Sequence, residues 1–325
     1  MNTAPRKKVL VFREMPPDQL ARLQAVHDVT VANPRKPDQL ALFEATLPVT
    51  HGLIGSSYAI GPELLARAAR LEVISSISVG VDNYALPALR ERGILLCHTP
   101  GVLTETTADT IFALVMATSR RLVELALHVR EGRWDRNIGE DLFGWDVHGK
   151  TLGIIGFGRI GQAVARRAAL GFNMRVLYCG RRESDMPELS GKATRVTQEA
   201  LLAVSDIVVL TLPLTAQTRG LIGRRELQSM KPGAILINSA RGPIVQEDAL
   251  LEALNQGHLR AAGLDVFSVE PLPLDSPLRL HPRVTALPHI GSATHETRYR
   301  MAELATTNLL QALAGERPPA LYALD

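Results

Sequence analysis

One stretch, Thr151–Gly161, constrains the fold of this chain more than any other. It begins with an apolar run, Leu152–Ile155, whose β-branched residues predict a buried strand. The run ends at G-F-G-R-I-G, residues 156–161, and a helical pattern continues to about Leu170. A strand before and a helix after this glycine pattern indicate a dinucleotide-binding fold. A glycine-rich turn that binds no ligand is the alternative interpretation of these residues.

Each glycine of this pattern has its own expected role. Gly156 permits a tight turn, and Gly158 lets the backbone approach a pyrophosphate. Gly161 allows the following helix to pack closely on the strand. The pyrophosphate would lie at the helix N-terminus, where unpaired N–H groups and the helix dipole favour an anion. We therefore expect these three glycines to bind a dinucleotide coenzyme.

Length and composition limit the class of protein. A chain of 325 residues fits two domains of ~150 residues each. The hydrophobic fraction of 46% and the charged fraction of 21% are typical of a soluble globular protein. The net charge of +3 comes from scattered Lys and Arg residues, which disfavours nucleic-acid or membrane binding.

The cysteines and the N-terminus predict a cytoplasmic protein. Cys97 and Cys179 lie in apolar runs without metal-ligand spacing, as expected for thiols in a reducing compartment. The first residues lead into a strand and contain no signal-peptide pattern. No apolar run approaches the ~20 residues that a membrane-spanning helix needs.

The first part of the chain alternates between short apolar runs and amphipathic stretches. This alternation predicts a parallel sheet with helices on both faces, a flavodoxin-like α/β domain. The predicted strands are Lys8–Phe12, Asp28–Ala32, Gly52–Gly55, Val73–Ser78 and Ile94–His98. The predicted helices are Pro17–Val26, Asp38–Ala45, Pro62–Ala69 and Tyr84–Arg92.

A turn of small residues follows the fourth of these strands and leads into the predicted helix at Tyr84. Its backbone N–H groups at Val79 and Gly80 could bind a carboxylate. An ordinary strand-to-helix turn explains the same residues equally well. Further on, the pattern predicts one long helix over Thr104–Arg133, which would cross from the first domain to the second. The segment Gly132–Gly149 then contains both tryptophans and is expected to be an irregular surface excursion.

A second series of alternating elements starts at Thr151 and predicts a six-stranded dinucleotide-binding domain. A last helix over Glu296–Ala314 would return to the first domain. The predicted strands are Thr151–Ile155, Arg175–Cys179, Ile207–Leu212, Ala234–Asn238, Ala262–Val266 and Val284–Leu287. The predicted helices are Ile160–Leu170, Gln198–Ala203, Arg225–Ser229 and Asp248–Asn255.

The end of the second of these strands predicts which coenzyme is preferred. An NAD-preferring fold usually has an acidic residue there, about 20 residues into the domain, that binds the ribose hydroxyls. Here Cys179 and Gly180 stand at this position, followed by Arg181 and Arg182. A guanidinium matches the oxygens of a 2′-phosphate, so the residues favour NADPH over NADH. A solvated pair of loop arginines is the alternative.

Polar residues follow three later strands, at the sheet edge where open α/β folds place their chemistry. Arg241 could bind carboxylate and carbonyl oxygens in a bidentate manner and polarise the carbonyl. His289 could donate a proton as hydride reaches the carbonyl carbon, with Glu270 holding its imidazole. Each residue alone is more often structural. Together, after a dinucleotide motif, they predict reduction of a 2-oxo acid.

The sequence resembles the D-isomer-specific 2-hydroxyacid dehydrogenase family over essentially its whole length. The resemblance lies in G-F-G-R-I-G, N-S-A-R-G at 238–242, G-L-D-V-F-x-x-E-P at 263–271 and P-H-I-G-S-A-T at 288–294. Within the family, Y-C-G-R-R and H-I-G-S-A-T-H-E-T-R resemble bacterial glyoxylate/hydroxypyruvate and 2-ketogluconate reductases, which favour NADPH. The resemblance implies two doubly wound parallel-sheet domains. Residues 1–101 and 293–325 would bind substrate, and residues 102–292 would form a Rossmann coenzyme domain.

The resemblance also implies site residues and an assembly. Arg241, Glu270 and His289 would form the catalytic set, and substrate would be bound by Val79 and Gly80 together with Arg241, His289 and Ser292. A homodimer that buries the coenzyme domain and the crossing helix is expected. The implied coenzyme contacts are Thr107, Gly156, Gly158, Arg159, Ile160, Gly161, Arg181, Arg182, Pro213, Ser239 and Asp265.

Other interpretations compete with this one. His295 is the rival acid, although no acidic residue stands at a matching strand end, and H-E-T-R-Y does not form the H-E-x-x-H zinc motif. Formate dehydrogenases of this fold have Gln where Glu270 stands, and phosphite dehydrogenase uses NAD, which the arginine pair disfavours. A nucleotide-sensing scaffold without catalysis, as in corepressors of this fold, is the alternative from another class; those proteins have long extra tails.

Overall fold

A computed structural model describes residues 6–181 and 186–324 of the chain. Backbone contacts divide the protein into two compact units. The first unit comprises Met1–Leu103 and Ala293–Asp325, and the second comprises Thr104–Ser292. The second unit is therefore an insertion in the chain of the first.

The first unit contains a parallel five-stranded sheet in the order β2-β1-β3-β4-β5. This order is that of flavodoxin-like folds, so the predicted fold class is confirmed. Strands β3 and β4 are buried along their whole length, which explains their continuous apolar or small-residue sequences. The strands are β1 (Lys8–Val11), β2 (Asp28–Val31), β3 (Gly52–Gly55), β4 (Val73–Ser76) and β5 (Leu95–Cys97).

Proline begins three helices of the first unit, because its fixed φ fits the first turn and its missing N–H is not needed there. The helices are α1 (Pro17–Val26), α2 (Pro37–Thr46), α3 (Pro62–Arg67) and α4 (Leu86–Glu91), and after the second unit α11 (His295–Leu313). Helix α11 packs directly on β3, since a Cβ at Gly52 would lie 2.9 Å from Leu309 Cδ1.

The turn that contains Val79 and Gly80 does not enter a helix directly, contrary to the prediction. Helix α4 starts at Leu86 rather than Tyr84, because Pro87 fits only a first turn and Tyr84 is bridged to Ile60. The dipole of α4 therefore does not act at this turn. Within the described ranges neither amide donates a hydrogen bond to the protein, so both remain available to a ligand.

The second unit contains a parallel seven-stranded sheet in the order β12-β11-β10-β9-β6-β7-β8. The chain order reverses between β6 and β9, which is the switch point where doubly wound sheets bind ligands. The strands are β6 (Thr151–Ile155), β7 (Arg175–Cys179), β8 (Ala193–Arg195), β9 (Ile207–Leu210), β10 (Ile235–Asn238), β11 (Ala261–Leu264) and β12 (Val284–Ala286). The helices are α5 (Thr104–Ser119), α6 (Leu122–Arg130), α7 (Arg159–Arg166), α8 (Gln198–Val204), α9 (Arg224–Ser229) and α10 (Glu247–Asn255).

Strand β8 was not predicted, so the expected count of six strands was wrong. It is three residues long, lies at the sheet edge and is mostly exposed. An edge strand of this kind needs no apolar run, and hydrophobic periodicity therefore misses it.

The single long helix predicted over residues 104–133 was also wrong, because the helix ends at Ser119 and a new one starts at Leu122. Arg121 between them has a left-handed φ of 55°. The carbonyl of Ser119 accepts a hydrogen bond of 2.9 Å from the amide of Trp145 instead of continuing the helix. The Arg121 guanidinium contacts Glu124 and the carbonyl of Asp141. A distant segment thus ends the helix.

Helix α5 positions the glycine turn through α7. Arg167, directly after α7, bridges Glu105 and Asp109 of α5 at 2.9 and 2.6 Å. On its other side α5 packs against β11, where a Cβ at Gly263 would lie 2.6 Å from Thr118 Oγ1. None of the helices in the described ranges has the length and hydropathy of a membrane-spanning segment.

Candidate active site

The glycine turn after β6 forms a cradle for an anion. Gly156 has a φ of +96°, and a Cβ there would lie 2.8 Å from backbone atoms of Thr211 and Leu212. A Cβ at Gly161 would lie 2.4 Å from the carbonyl oxygen of Gly156. At Gly158, by contrast, a Cβ would meet no described atom within 4 Å. Two glycines are therefore required by the fold itself, whereas the third leaves open space at the N-terminus of α7, where a coenzyme pyrophosphate fits.

This difference predicts a clean separation of binding from stability. Gly158→Ala should leave the melting temperature within ~2 °C, because φ is −82° and the site is open. It should weaken NADPH binding by roughly 10-fold or more, since the methyl group occupies the space of the pyrophosphate. Gly161→Ala, the matched control, should lower the melting temperature clearly. Calorimetry measures the melting temperature, and titration with NADPH measures the affinity. An unchanged NADPH affinity in Gly158→Ala would contradict pyrophosphate binding at this turn.

The described residues at the end of β7 include no acidic side chain. Cys179 is the last residue of the strand, Gly180 is half-buried, and Arg181 is exposed. Arg182 lies outside the described residues. The guanidinium of Arg195, at the end of β8, donates a hydrogen bond of 3.0 Å to the carbonyl of Gly180. Arg195 had no sequence signal, because β8 is a short, mostly exposed strand without an apolar run.

The remaining residues expected at the coenzyme lie near the switch point. Arg159 is the exposed first residue of α7, followed by the half-buried Ile160. Pro213 is exposed after β9, the neighbour of β6, and its carbonyl accepts a hydrogen bond of 2.7 Å from Thr218. Their positions are compatible with a bound dinucleotide.

Glu270 and His289 form a hydrogen-bonded pair. His289 follows β12, and its Nδ1 lies 2.7 Å from Glu270 Oε2. The amide of Phe267 donates to the other carboxylate oxygen at 3.1 Å. Burial raises the pKa of Glu270, but the hydrogen bonds from His289 and Phe267 and the charges of His289 and Arg241 outweigh it, so that this pKa is lowered. The carboxylate therefore stays ionised and fixes the imidazole orientation through Nδ1.

Arg241 is positioned by the turn that follows β10. The Asn238 side chain accepts from the amide of Ala240 at 3.1 Å and donates to the carbonyl of Arg241 at 3.0 Å. A Cβ at Gly242 would lie 1.9 Å from the carbonyl carbon of Phe267. Only glycine lets the Arg241 turn pack against the segment that leads to Glu270. Because β10, β11 and β12 are neighbours, their carboxyl ends bring Arg241, Glu270 and His289 to one edge.

Asp265, which follows β11, holds the loop that carries His289 through hydrogen bonds. Its carboxylate accepts from the amides of Ile290 at 2.7 Å and Gly291 at 2.9 Å. The hydroxyl of Ser239 lies 3.4 Å from the same carboxylate. Burial raises the pKa of Asp265 although both amides lower it. Sequence reasoning expected this residue only at the nicotinamide, and its role in holding the His289 loop had no sequence signal.

The other predicted residues divide between the two units. Thr107 of α5 lies near Gly291, where an added Cβ would come 3.4 Å from its methyl group. Ser292 is the half-buried last residue of the second unit. Val79, Gly80 and the rival His295 belong to the first unit. Among the described residues no group of three or more His, Cys, Asp or Glu side chains could hold a metal ion.

The lowered pKa of Glu270 predicts a pH-dependent stability. A carboxylate whose folded pKa is below its unfolded value of about 4.3 stabilises the protein above that pH, and this stabilisation is lost as the pH falls through the folded pKa. Glu270→Gln should therefore melt below wild type at neutral pH, and the gap should close in acid. Glu316→Gln, on an exposed residue, should show no such trend. A gap that stays constant with pH in calorimetric scans would contradict the assignment.

Comparisons with known proteins identify the family of this chain. Residues 112–291 match the family model described as D-isomer specific 2-hydroxyacid dehydrogenase, NAD binding domain. A protein named glyoxylate/hydroxypyruvate reductase B from Enterobacter sp. is 50% identical over 310 residues, covering 95% of this chain and 96% of that protein. One of the same name from Yersinia pestis (strain Pestoides F) is 49% identical, covering 95% of each chain.

Solved structures give the same family. The TT0316 protein from Thermus thermophilus has a TM-score of 0.87 and 45% identity, covering 97% of this chain and 100% of that chain. An NADPH-dependent glyoxylate/hydroxypyruvate reductase from Sinorhizobium meliloti, in complex with NADP and malonate, has a TM-score of 0.88 and 30% identity, covering 98% of both chains. The chain therefore belongs to the D-isomer specific 2-hydroxyacid dehydrogenase family of oxidoreductases.

Proposed function

We propose that this protein is an NADPH-preferring reductase that transfers hydride to a short 2-oxo acid, giving the D-2-hydroxy acid. The candidate substrates are glyoxylate, hydroxypyruvate and 2-ketogluconate. The observation that carries the proposal is the 2.7 Å contact between Glu270 and His289 at the sheet edge that Arg241 shares. The names of the similar reductases from Enterobacter and Yersinia support the first two substrates.

The proposed chemistry assigns one task to each residue. Bound NADPH supplies the hydride. The Arg241 guanidinium binds the substrate carboxylate and carbonyl oxygens and makes the carbonyl carbon more electrophilic. The imidazole Nε2 of His289 donates a proton to the oxygen that becomes the hydroxyl. Glu270 holds Nδ1 and thereby orients the imidazole for that transfer.

Substrate and coenzyme would be held by different parts of the chain. The amides of Val79 and Gly80, which donate to no described acceptor, would bind the substrate carboxylate. We assign substrate binding to residues 1–101 and 293–325 and coenzyme binding to residues 102–292. Thr107, Ser239, Asp265 and Gly291 come together in the coenzyme unit, which supports placing the nicotinamide and Ser292 near them.

Exposed apolar side chains support the homodimer. In the second unit Trp134 is 62% exposed and Val129 of α6 is 54% exposed. They are part of a larger group, in which Leu122, Val123, Leu127, Ile138, Phe143 and Trp145 are also exposed. Large apolar side chains exposed within one stretch of chain, residues 122–145, favour an interface over open solvent.

The two cysteines are free thiols, which fits the proposed cytoplasmic location.

The arginines after β7 predict the coenzyme preference. Replacing Arg181 and Arg182 together by alanine should weaken the binding of NADPH by about 10-fold or more. The binding of NADH should stay nearly unchanged, because only NADPH has the 2′-phosphate. Arg175→Ala, at the exposed start of the same strand, is the control and should change neither. Dissociation constants from fluorescence titration decide this, and equal losses for both coenzymes would mean that the pair does not touch the phosphate.

The function itself is tested by oxidation of NADPH with a panel of 2-oxo acids. We expect turnover with glyoxylate or hydroxypyruvate, and the ratios of kcat/KM across the panel identify the preferred substrate. NADPH binding without turnover of any member would instead favour the coenzyme-sensing scaffold.

A further inference from the structure

A cavity of about 730 Å³ opens within the first unit. The loop after β1 and the first turns of α11 line it, together with Ile77. Two guanidinium groups from these elements, those of Arg13 and Arg298, form part of the wall. None of the functional roles assigned above uses either arginine.

Neither arginine has its charge balanced. Within residues 6–181 and 186–324, no carboxylate lies within ion-pair distance of Arg13 or Arg298. The recorded side-chain partner of Arg13 is the hydroxyl of Ser56. Burial lowers the pKa of Arg13, and the charges of Arg298 and Arg35 lower it further; burial also lowers the pKa of Arg298. Both guanidinium groups are thus partly desolvated, and the charge of Arg298 acts unfavourably on Arg13, at a cost that an anion would remove.

Two acidic groups near the cavity have partners of their own. Glu14, the acidic residue among the lining, pairs with Lys36 at 2.6 Å and points its charge to solvent. Asp18 accepts a hydrogen bond of 2.6 Å from Tyr299. The Thr294 hydroxyl caps the amide of Thr297 at 3.2 Å, and the positive end of the 19-residue helix α11 adds to the potential of the cavity. Glu14 and Asp18 thus have partners other than the two arginines, and neither carboxylate pairs with Arg13 or Arg298.

We propose that this cavity binds an anionic group of a small acid, a carboxylate or a phosphate, between the guanidinium groups of Arg13 and Arg298. A guanidinium donates two parallel hydrogen bonds to either group, so the two arginines together can satisfy most of its oxygens. The anion has two possible sources: a free acid, or the far end of a longer 2-oxo acid substrate. The second source rests on the proposed function, and the first does not.

Binding is tested on the full-length protein saturated with NADPH, so that phosphate cannot enter the coenzyme site. Inorganic phosphate titrated into wild type should bind, and Arg13→Gln or Arg298→Gln should weaken it by about 10-fold or more. Arg298→Lys should recover part of the affinity, which separates loss of charge from loss of fold. Arg70→Gln, on an exposed arginine of the same unit, should bind as wild type does. No phosphate binding by wild type, or equal binding by all variants, would overturn the proposal.

Kinetics distinguish the two sources. If the anion belongs to the substrate, the glutamine variants should lower kcat/KM for oxaloacetate, which has a second carboxylate, by about 10-fold more than for glyoxylate. If the anion is a free acid, the ratio of kcat/KM for oxaloacetate to kcat/KM for glyoxylate should stay at its wild-type value in the glutamine variants. Phosphate binding should still be lost. Failure of turnover with every 2-oxo acid would refute the proposed function alone, because the phosphate titration still decides whether the cavity binds an anion.

Discussion

Replacing His289 by alanine should lower kcat by about 10²–10⁴ while NADPH binding stays near wild type, because the imidazole supplies the proton and does not hold the coenzyme. His289→Asn, closer in shape, should lose a similar factor. His148→Ala, on an exposed histidine just before β6, is the matched control and should retain full activity. Unchanged turnover in His289→Ala, or a comparable loss in His295→Ala only, would assign the acid elsewhere.

Replacing Arg241 by lysine should lower kcat/KM by about 10²–10³ although the positive charge is kept. An ammonium cannot give the two parallel hydrogen bonds that a guanidinium gives to carboxylate and carbonyl oxygens. KM should rise together with the fall in kcat, since the carboxylate is bound in both the ground state and the transition state. Arg225→Lys, on an exposed side chain of α9, controls for the substitution itself. A loss no larger than in this control would remove Arg241 from the reaction.

The losses of activity in the His289→Ala and Arg241→Lys variants should not add when both changes are combined. Arg241, Glu270 and His289 follow neighbouring strands, and in the proposed function they act on one carbonyl group, so the double variant should be little worse than the poorer single variant.

The central strands were predictable because they are buried on both faces. Strands β6 and β9 are almost entirely buried and read as continuous apolar runs, which local sequence shows directly. The site was predictable to the same extent, since residues that follow parallel strands must meet at one edge. Sequence therefore predicted that Glu270 and His289 would lie close together.

Features that depend on distant contacts were not predictable. The break at Arg121 is set by the segment around Trp145, which takes the carbonyl of Ser119. The clamp of Asp265 on the amides of Ile290 and Gly291 requires the register of two strands. Arg13 and Arg298 lie at opposite ends of the chain, and only the folded first unit brings them to one cavity.

The glycines of the site differ in whether the fold itself requires them. Gly242 and Gly161 are required by packing against backbone atoms, whereas Gly158 faces open space. A sequence pattern treats all of them alike. The difference in their surroundings is what allows coenzyme binding to be tested without disturbing the fold.

A crystal structure of the protein with NADP⁺ and hydroxypyruvate, a complex that cannot react, tests the central claim most directly. We expect the Arg241 guanidinium and the His289 imidazole within hydrogen-bond distance of the substrate carbonyl oxygen, beside the nicotinamide. The amides of Val79 and Gly80 should donate to the substrate carboxylate. Side chains of Arg241 and His289 that point away from the nicotinamide in that complex would contradict it.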